Sequence, residues 1–336
     1  MAGINRRIVL RRYPSGAPAE SDFELIEAPV AELRPGLVRV ETTFLSMDPA
    51  PRLRMDGGAK FPPPLALGET VVGRGVGTVT ESRDPAFAAG DVVAGELGWQ
   101  EQAVVPAGQL RAVDTALGPA QAALGLLGPS GIAAWFLVRD AARVQAGDTV
   151  LVAAAAGAVG SAIVQLARLA GARVVGVVGS PAQARFVLED LGAAAVVDHT
   201  SADLDSELRA ALPTGATVFL DSVGGELHNA AMGHIANRAR IVAFGYISTY
   251  NAAAGTQAEY GRIYQLIHKR AELRGFLVGD YAARFPEALA SLAAAFRAGE
   301  LRAFEHVTEG LASVPSAFAA LFTGDPVGKQ LVRVRS

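Results

Sequence analysis

The sequence predicts an α/β protein in which a doubly wound parallel sheet is inserted into a β-rich domain. Three observations carry this reading. From about residue 126, apolar strand-like segments alternate with helical ones; the first strand of that series runs through a glycine turn into a helix; and the first third consists of short β-branched runs broken by Gly and Pro. At 336 residues the chain can bury a large core and is of a size at which one core gives way to two.

The elements follow in order. Arg6-Arg7-Ile8-Val9-Leu10-Arg11-Arg12 reads as a first strand with polar ends, the alternative being a phosphate or partner contact. Leu37–Thr43, Thr70–Thr80 and Asp91–Gly95 are further strands bounded by turn formers. Pro62-Pro63-Pro64 lacks backbone donors and marks an extended loop. Buried strands are expected at Thr149–Ala154, Arg173–Val178, Ala194–Asp198, Thr217–Leu220, Arg240–Phe244 and Leu273–Val278. Between them, Ser161–Ala170 repeats apolar residues at helical spacing and stops at Gly171, and Pro181–Leu191 does the same and stops at Gly192. Such alternation implies a parallel sheet with helices on both faces. The tail from about Leu301, ending in Lys329-Gln-Leu-Val-Arg-Val-Arg335, reads as a strand returning to the first domain.

Composition narrows the class. Hydrophobic residues make up 51% and charged residues 19%, the reverse of what disorder requires. A net charge of −3 gives no electrostatic reason for a nucleic-acid partner. The absence of cysteine excludes disulfides, iron–sulfur clusters and thiolate zinc sites, and fits a reducing compartment. Residues 1–12 lack the apolar core of a secretory signal. Thr149 to Ala167 carries no charge and is nearly long enough to span a bilayer, but Gly157 and Gly160 interrupt it, so it reads as strand, turn and helix. A cytoplasmic protein with no membrane partner is expected.

The turn has a specific physical use. In Thr149-Val-Leu-Val-Ala-Ala-Ala-Ala156-Gly157-Ala-Val-Gly160, Ala155 stands where a G-x-G-x-x-G pattern has its first glycine, and Gly157 and Gly160 fill the other two places. Gly157 would let the backbone approach a pyrophosphate, Gly160 would let helix and strand pack closely, and the helix N-terminus would face the anion. The bland alternative is a tight turn. The second strand ends Val177-Val178-Gly179-Ser180 without the acid that holds the ribose of NAD. NADP is therefore favoured, with Ser180 and Arg185 as hydroxyl and cation for its 2′-phosphate, unless Arg185 is only a solvated helix residue.

At this point the chain resembles a family. Phe44-Leu-Ser-Met-Asp-Pro49, Leu67-Gly-Glu-Thr-Val-Val-Gly73, Ala153-Ala-Ala-Ala-Gly-Ala-Val-Gly-Ser161, Asp221-Ser-Val-Gly-Gly225, Phe244-Gly-Tyr-Ile-Ser-Thr-Tyr-Asn251 and Gly328-Lys329 are similar to the zinc-free prostaglandin reductase and alkenal double-bond reductase branch of the medium-chain dehydrogenase/reductase superfamily. The resemblance implies a partly open, GroES-like β-barrel catalytic domain from residues 1–125 and 300–336. A Rossmann domain would span 126–299, with the cofactor in the cleft between the two. It implies that Gly157, Ala158, Val159 and Gly160 touch the pyrophosphate of NADP. The nicotinamide side would be lined by Phe244, Gly245, Tyr246, Ile247, Ser248, Thr249 and Tyr250, with Phe276, Leu277 and Val278. Gly179, Ser180, Arg185, His199 and Ser222 complete the implied cofactor contacts. The family is often dimeric, and an edge strand near Arg274–Val278 would suit pairing across a two-fold axis.

This chain departs from the family pattern. Where members carry Lys in the Gly-Ser-x-x-Lys stretch it has Gln183; His199 replaces a Tyr, Ser222 and Pro326 each replace an Asn, and Ala50 replaces a Tyr after Asp-Pro. Two ordinary 2′-phosphate contacts are thus altered, His199 is a substitute donor, NADPH preference should be modest, and the substrate pocket should be wider or more apolar.

The chemistry expected is metal-free. His199, His228, His234, His268 and His306 form no H-x-x-x-H pair, and Gly68-Glu69-Thr70 stands where zinc alcohol dehydrogenases have Gly-His-Glu. Without a Lewis acid, reduction of a C=C bond conjugated to a carbonyl is easier to support than reduction of a plain ketone, because the enolate oxygen needs only hydrogen-bond donors. Tyr250 is the first candidate donor and Tyr264 the second, each with the alternative of a packing aromatic. Asp48 and Glu69 read as structural carboxylates bonding local N–H groups. The expected activity is NADPH-dependent reduction of enones or alkenals. The alternatives are a quinone or carbonyl reductase on the same fold and a non-catalytic NADPH-binding protein. Substrate choice should rest on the loops Met55–Pro64 and Tyr246–Tyr260.

Overall fold

The computed structural model describes residues 3–56, 63–252, 260–323 and 326–335. The chain forms two compact units: Met1–Gly125 with Glu305–Thr323 and Lys329–Ser336, and Leu126–Phe304 with Gly324–Gly328. Pro62 and much of both specificity loops, 57–62 and 253–259, lie outside the described residues.

The first unit opens with an antiparallel ribbon of β1 (Ile4–Leu10) and β2 (Phe23–Pro29). The basic cluster is thus a strand, with Arg6 beside Glu101, Arg7 bonded to Thr70 and Arg12 paired with Asp22. β3 (Leu37–Ser46), β4 (Arg74–Ser82), β5 (Val92–Glu96), β6 (Gln102–Pro106) and β7 (Leu110–Ala112) follow. Period-two alternation places Val38, Val40 and Phe44 of β3 on the buried face, as a strand demands. β4 starts four residues later than Thr70, because Glu69 and Val71 bond the backbone of Leu10, Ile8 and Trp99 instead; Gly73 passes against the Trp99 indole, where a Cβ would lie 2.6 Å from the ring nitrogen. Trp99 in turn packs between Phe23 and Phe318.

The second unit begins with α1 (Pro129–Phe136) and alternates β8 (Thr149–Val152), α2 (Ala158–Leu169), β9 (Arg173–Val178), α3 (Pro181–Arg185), β10 (Ala195–Asp198), α4 (Leu204–Ala211), β11 (Ala216–Asp221), α5 (Gly225–Ala231), β12 (Ile235–Ala243), α6 (Tyr264–Lys269), β13 (Glu272–Gly275) and α7 (Phe285–Arg297). The sheet order is β10-β9-β8-β11-β12-β13, and every pair is parallel. This is the doubly wound order whose direction reverses between β8 and β11, where such sheets hold ligands. Val150, Leu151, Val152, Val175, Val218 and Phe219 are wholly buried, each such side chain contributing about 1.5–3 kcal/mol by area.

Several boundaries in this unit differ from the sequence expectation, three of them near the candidate site. Gly157 serves as N-cap, so α2 starts at Ala158, ahead of Ser161. The segment from Pro181 is α-helical only to Arg185 and then widens to a π-type turn over Phe186–Asp190 before Gly192. β13 ends at Gly275, ahead of Val278: the Phe276 ring leaves the sheet to stack on Tyr281 at 5.4 Å, and a 3-10 turn begins at Val278.

The chain then returns to the first unit as β14 (Glu305–Glu309), α8 (Val314–Ala320) and β15 (Lys329–Arg333). That sheet runs β14-β15-β3-β4-β5-β7, with β6 also pairing β3.

The contact between α2 and the turn that follows β8 leaves room for no side chain at Gly160. A Cβ there would overlap the Ala154 carbonyl oxygen and sit 2.9 Å from the Ala155 Cα. Gly160→Ala is expected to destabilise the protein by about 2–3 kcal/mol, whereas Gly108→Ala, with nothing within 4 Å of its Cβ, should stay within about 0.5 kcal/mol. Thermal melting of the two variants against the parent checks this.

Candidate active site

The turn after β8 is sewn to both neighbouring strands. Ala153 N–H donates to the Leu220 carbonyl and Ala155 N–H to the Val177 carbonyl, both at 3.0 Å. Ala154 adopts φ +49°, a conformation an L-residue holds only under constraint. Ala155 fits in place of a glycine because its Cβ faces Gly176 of β9, where a second Cβ would lie only 2.8 Å away. Gly157 is extended (φ −75°, ψ 176°) and brings no capping side chain to α2. Among the described residues, the N–H groups of Ala158, Val159 and Gly160 meet no acceptor, whereas Ser161 N–H already bonds Gly157. A helix of this length with open N-terminal donors and a bare approach suits a pyrophosphate. The 326–328 segment runs beside the turn: Gly328 N–H donates to the Ala156 carbonyl at 2.7 Å, and Gly328 bridges Gly157 in parallel.

At the carboxyl end of β9 the chain gathers Gly179, Ser180, Gln183, Arg185 and His199. A Cβ on Gly179 would lie 2.7 Å from the His199 ring, so the imidazole stands directly against that glycine. Ser180 caps α3 by accepting from Gln183 N–H at 3.4 Å, which leaves its own hydroxyl proton to donate elsewhere. Arg185 is exposed. Gln183 uses its amide oxygen to accept from Gly179 N–H at 2.9 Å and its nitrogen to donate to the Pro326 carbonyl at 3.0 Å.

The ends of β11 and β12 are zipped together. Phe244 N–H bonds the Asp221 carbonyl at 2.8 Å, Ile247 N–H bonds that of Ser222 at 3.2 Å, and the Ser248 hydroxyl bonds that of Val223 at 2.6 Å. Gly245 is required because a Cβ would lie 2.8 Å from the Ser222 oxygen. This brings Ser222 and the Phe244–Tyr250 stretch into one cluster, where Tyr246 and Tyr250 meet edge-to-face at 5.2 Å. Burial, with a smaller contribution from Tyr246, pushes the Tyr250 phenol up to about 12. Among the described residues its hydroxyl has no hydrogen-bond partner. Tyr264 stands apart on the first turn of α6, 51% exposed, with its ring against His268. Phe276 joins the β12 end through its N–H, which bonds the Ala243 carbonyl at 2.9 Å, while Leu277 is exposed.

Sequence reasoning missed the group beneath this cluster. Asp221 is fully buried, accepts from Val223 and Gly224 N–H at 2.9 and 3.0 Å, and meets His228 Nδ1 at 2.9 Å. The buried His228 ring contacts Tyr260 at 4.7 Å, and the Tyr260 hydroxyl donates to the Gly245 carbonyl at 2.9 Å. Burial first, then the Asp221 charge and the other two tyrosines, pushes Tyr260 up to about 12. The only sequence signal was a carboxylate ending a strand and a histidine one turn into the helix that follows it.

In the first unit, Glu69 accepts from the local Ala66 N–H at 2.9 Å, as expected. Asp48 differs: its partners are the buried Lys329 ammonium at 2.6 Å and the Ser46 hydroxyl at 2.7 Å. Burial raises its pKa, but the Lys329 charge and these hydrogen bonds outweigh that and hold the carboxyl below its ordinary value. The expectation of local N–H partners failed because the returning strand β15 delivers a cation from 281 residues away. Among the described residues, no three His, Asp or Glu side chains gather closely enough to hold a metal ion.

Residues 6–113 match the family described as the N-terminal domain of oxidoreductase, and residues 158–294 the family described as zinc-binding dehydrogenase. The chain is 33% identical over 337 residues to the NADP(+)-dependent 2-alkenal reductase of Nicotiana tabacum, covering 98% of this chain and 97% of that one. It is 34% identical over 334 residues to prostaglandin reductase 1 of Bos taurus, covering 96% and 97%. The crystal structure of CurA from Vibrio vulnificus in complex with NADPH superposes with a TM-score of 0.91 at 32% identity, over 98% of this chain and 99% of that one. The chain belongs to the medium-chain dehydrogenase/reductase superfamily, in the branch of the alkenal and prostaglandin reductases.

Proposed function

We propose that the chain reduces the C=C bond of α,β-unsaturated carbonyl compounds with NADPH and without a metal. The observation that carries this is the open helix N-terminus of α2 at the sheet's switch point, in a chain alike over its whole length to alkenal and prostaglandin reductases. The donor set fits a dinucleotide: Ala158, Val159 and Gly160 offer backbone N–H groups to the pyrophosphate, with Gly157 leaving the approach clear. Ser180, Arg185 and His199, beside Gly179, offer a hydroxyl, a guanidinium and an imidazole to the 2′-phosphate. Ser222, Phe244, Gly245, Tyr246, Ile247, Ser248 and Tyr250, with Phe276, Leu277 and Val278, form the nicotinamide side.

When bound, NADPH supplies the hydride. The chain's own work is electrostatic. As the substrate β-carbon gains hydride, the π electrons move onto the carbonyl oxygen, which becomes an enolate, and a solvent proton then reaches the α-carbon. A phenol held protonated far above neutrality donates to that oxygen throughout the working range, and Tyr250 is such a phenol. Tyr264 is the second candidate. Metal independence is supported by the donor chemistry: the chain has no thiolate, and His228, the histidine nearest the cluster, is committed to Asp221.

The chain is further proposed to be a cytoplasmic homodimer. No helix among the described residues is long and apolar enough to cross a membrane. The edge strand β13, together with exposed Ile267 and Leu277, supports pairing with a second copy. Light scattering should give twice 34.7 kDa; a monomer mass would remove the proposal.

The reaction is tested by following NADPH oxidation with an alkenal, an enone, a quinone and a saturated ketone, before and after exhaustive chelation. Turnover should be fastest with the enal or enone and unchanged by the chelator; preference for the quinone or ketone, or activity lost together with bound zinc, would refute it. Tyr250→Phe should lower kcat about 10-fold or more, roughly 1.4 kcal/mol in barrier, with NADPH affinity kept. A change confined to KM would make Tyr250 a pocket wall.

A further inference from the structure

Gln183 has both ends of its side-chain amide committed to main-chain groups of the second unit. Its oxygen accepts from Gly179, just past β9, and its nitrogen donates to Pro326. A flipped amide would set N–H against N–H and C=O against C=O, so the two bonds select one orientation. Two residues beyond Pro326, Gly328 N–H donates to the Ala156 carbonyl, and Gly328 lies in a parallel bridge with Gly157. Only glycine serves at that point: Gly328 has φ +67°, and a Cβ would overlap the Phe304 carbonyl oxygen. Phe304 is itself fixed edge-on against Phe186 at 4.9 Å, one residue past α3. The 326–328 segment is therefore a strap held by the Gln183 amide at one end and by the glycine turn at the other.

From this geometry we infer that Gln183 is a positioning residue: it latches the 326–328 strap, whose other end bonds the glycine turn, to Gly179 just past β9, and takes no part in reading the 2′-phosphate. The inference rests on the placement of the dinucleotide at that turn. The strap bonds the residues immediately before the open N–H groups of Ala158, Val159 and Gly160, so whatever steadies it steadies the pyrophosphate donors. The pyrophosphate is common to NADPH and NADH. Gln183 accordingly supports both cofactors alike, and discrimination between them falls to Ser180, Arg185 and His199.

Two measurements test this on the full-length protein. Titration of the nicotinamide fluorescence gives Kd for NADPH and NADH in the parent, Gln183→Met, Arg185→Ala and Gly157→Val. Gln183→Met keeps the side-chain length and removes both hydrogen bonds; it should weaken NADPH and NADH by the same factor, about 5- to 10-fold for bonds of ordinary net strength. Arg185→Ala should weaken NADPH alone. Loss of NADPH affinity alone in Gln183→Met, or no loss of either, overturns the inference. The second measurement needs no cofactor. Hydrogen exchange at Gly328 N–H should quicken several-fold in Gln183→Met. It should quicken likewise in Gln183→Glu, which keeps the acceptor for Gly179 but loses the donor to Pro326. Unchanged exchange in both overturns the latch. If Gly157→Val binds NADPH like the parent, the cofactor placement fails instead, and the exchange result still judges the strap.

Discussion

The close approach of α2 to the turn that follows β8 is the constraint on which the second unit depends. Where a side chain of residue 160 would begin, the Ala154 carbonyl oxygen already stands. That contact requires glycine at one position, and Ala154 beside it holds a positive φ. The contact also presses the start of α2 against the carboxyl end of the sheet. A strained non-glycine residue persists only where its surroundings over-determine it. Here the N–H groups of Ala153 and Ala155 are tied to the strands on either side. Among the described residues, the same geometry leaves Ala158, Val159 and Gly160 with unmatched donors at the switch point of the sheet, so packing and the proposed anion site have one cause.

A second constraint acts at the ends of β11 and β12. Burying a carboxylate is costly unless its lone pairs are matched. Asp221 meets that condition with two backbone N–H groups from the turn it precedes and with the His228 ring. The turn is thereby locked, and its carbonyls at Ser222 and Val223 become acceptors for the Ile247 and Ser248 stretch. Tyr260 adds a bond to Gly245 from the far side of that loop. Tyr246 and Tyr250 therefore project from a loop whose backbone is bonded on both flanks, the pre-aiming that the donor role proposed for Tyr250 would need.

Much of this was legible in the sequence for definite reasons. The alternation of fully apolar runs with 3.6-period segments specifies a parallel sheet covered on both faces, and Gly157 and Gly160 mark a tight strand-to-helix junction, because these are local properties of spacing and residue type. The absence of cysteine settled the question of thiolate ligands by itself. The glycine stops at Gly171 and Gly192 were likewise readable, since a left-handed residue that closes a helix favours glycine.

Tertiary structure alone decided the partners. Nothing in residues 44–49 announces that Asp48 meets Lys329, because that pair exists only once β15 has come back to β3. The departure of Phe276 from the line of β13 reflects the position of Tyr281, a contact without periodic signature. Gln183 reads as a missing lysine in the sequence; in the fold its amide spans Gly179 and Pro326, the latter 143 residues from Gln183. Periodicity and glycine placement act over a few residues and are written in order along the chain. A hydrogen bond between distant residues is set by where whole strands and helices come to rest, and that is fixed only when the core has closed.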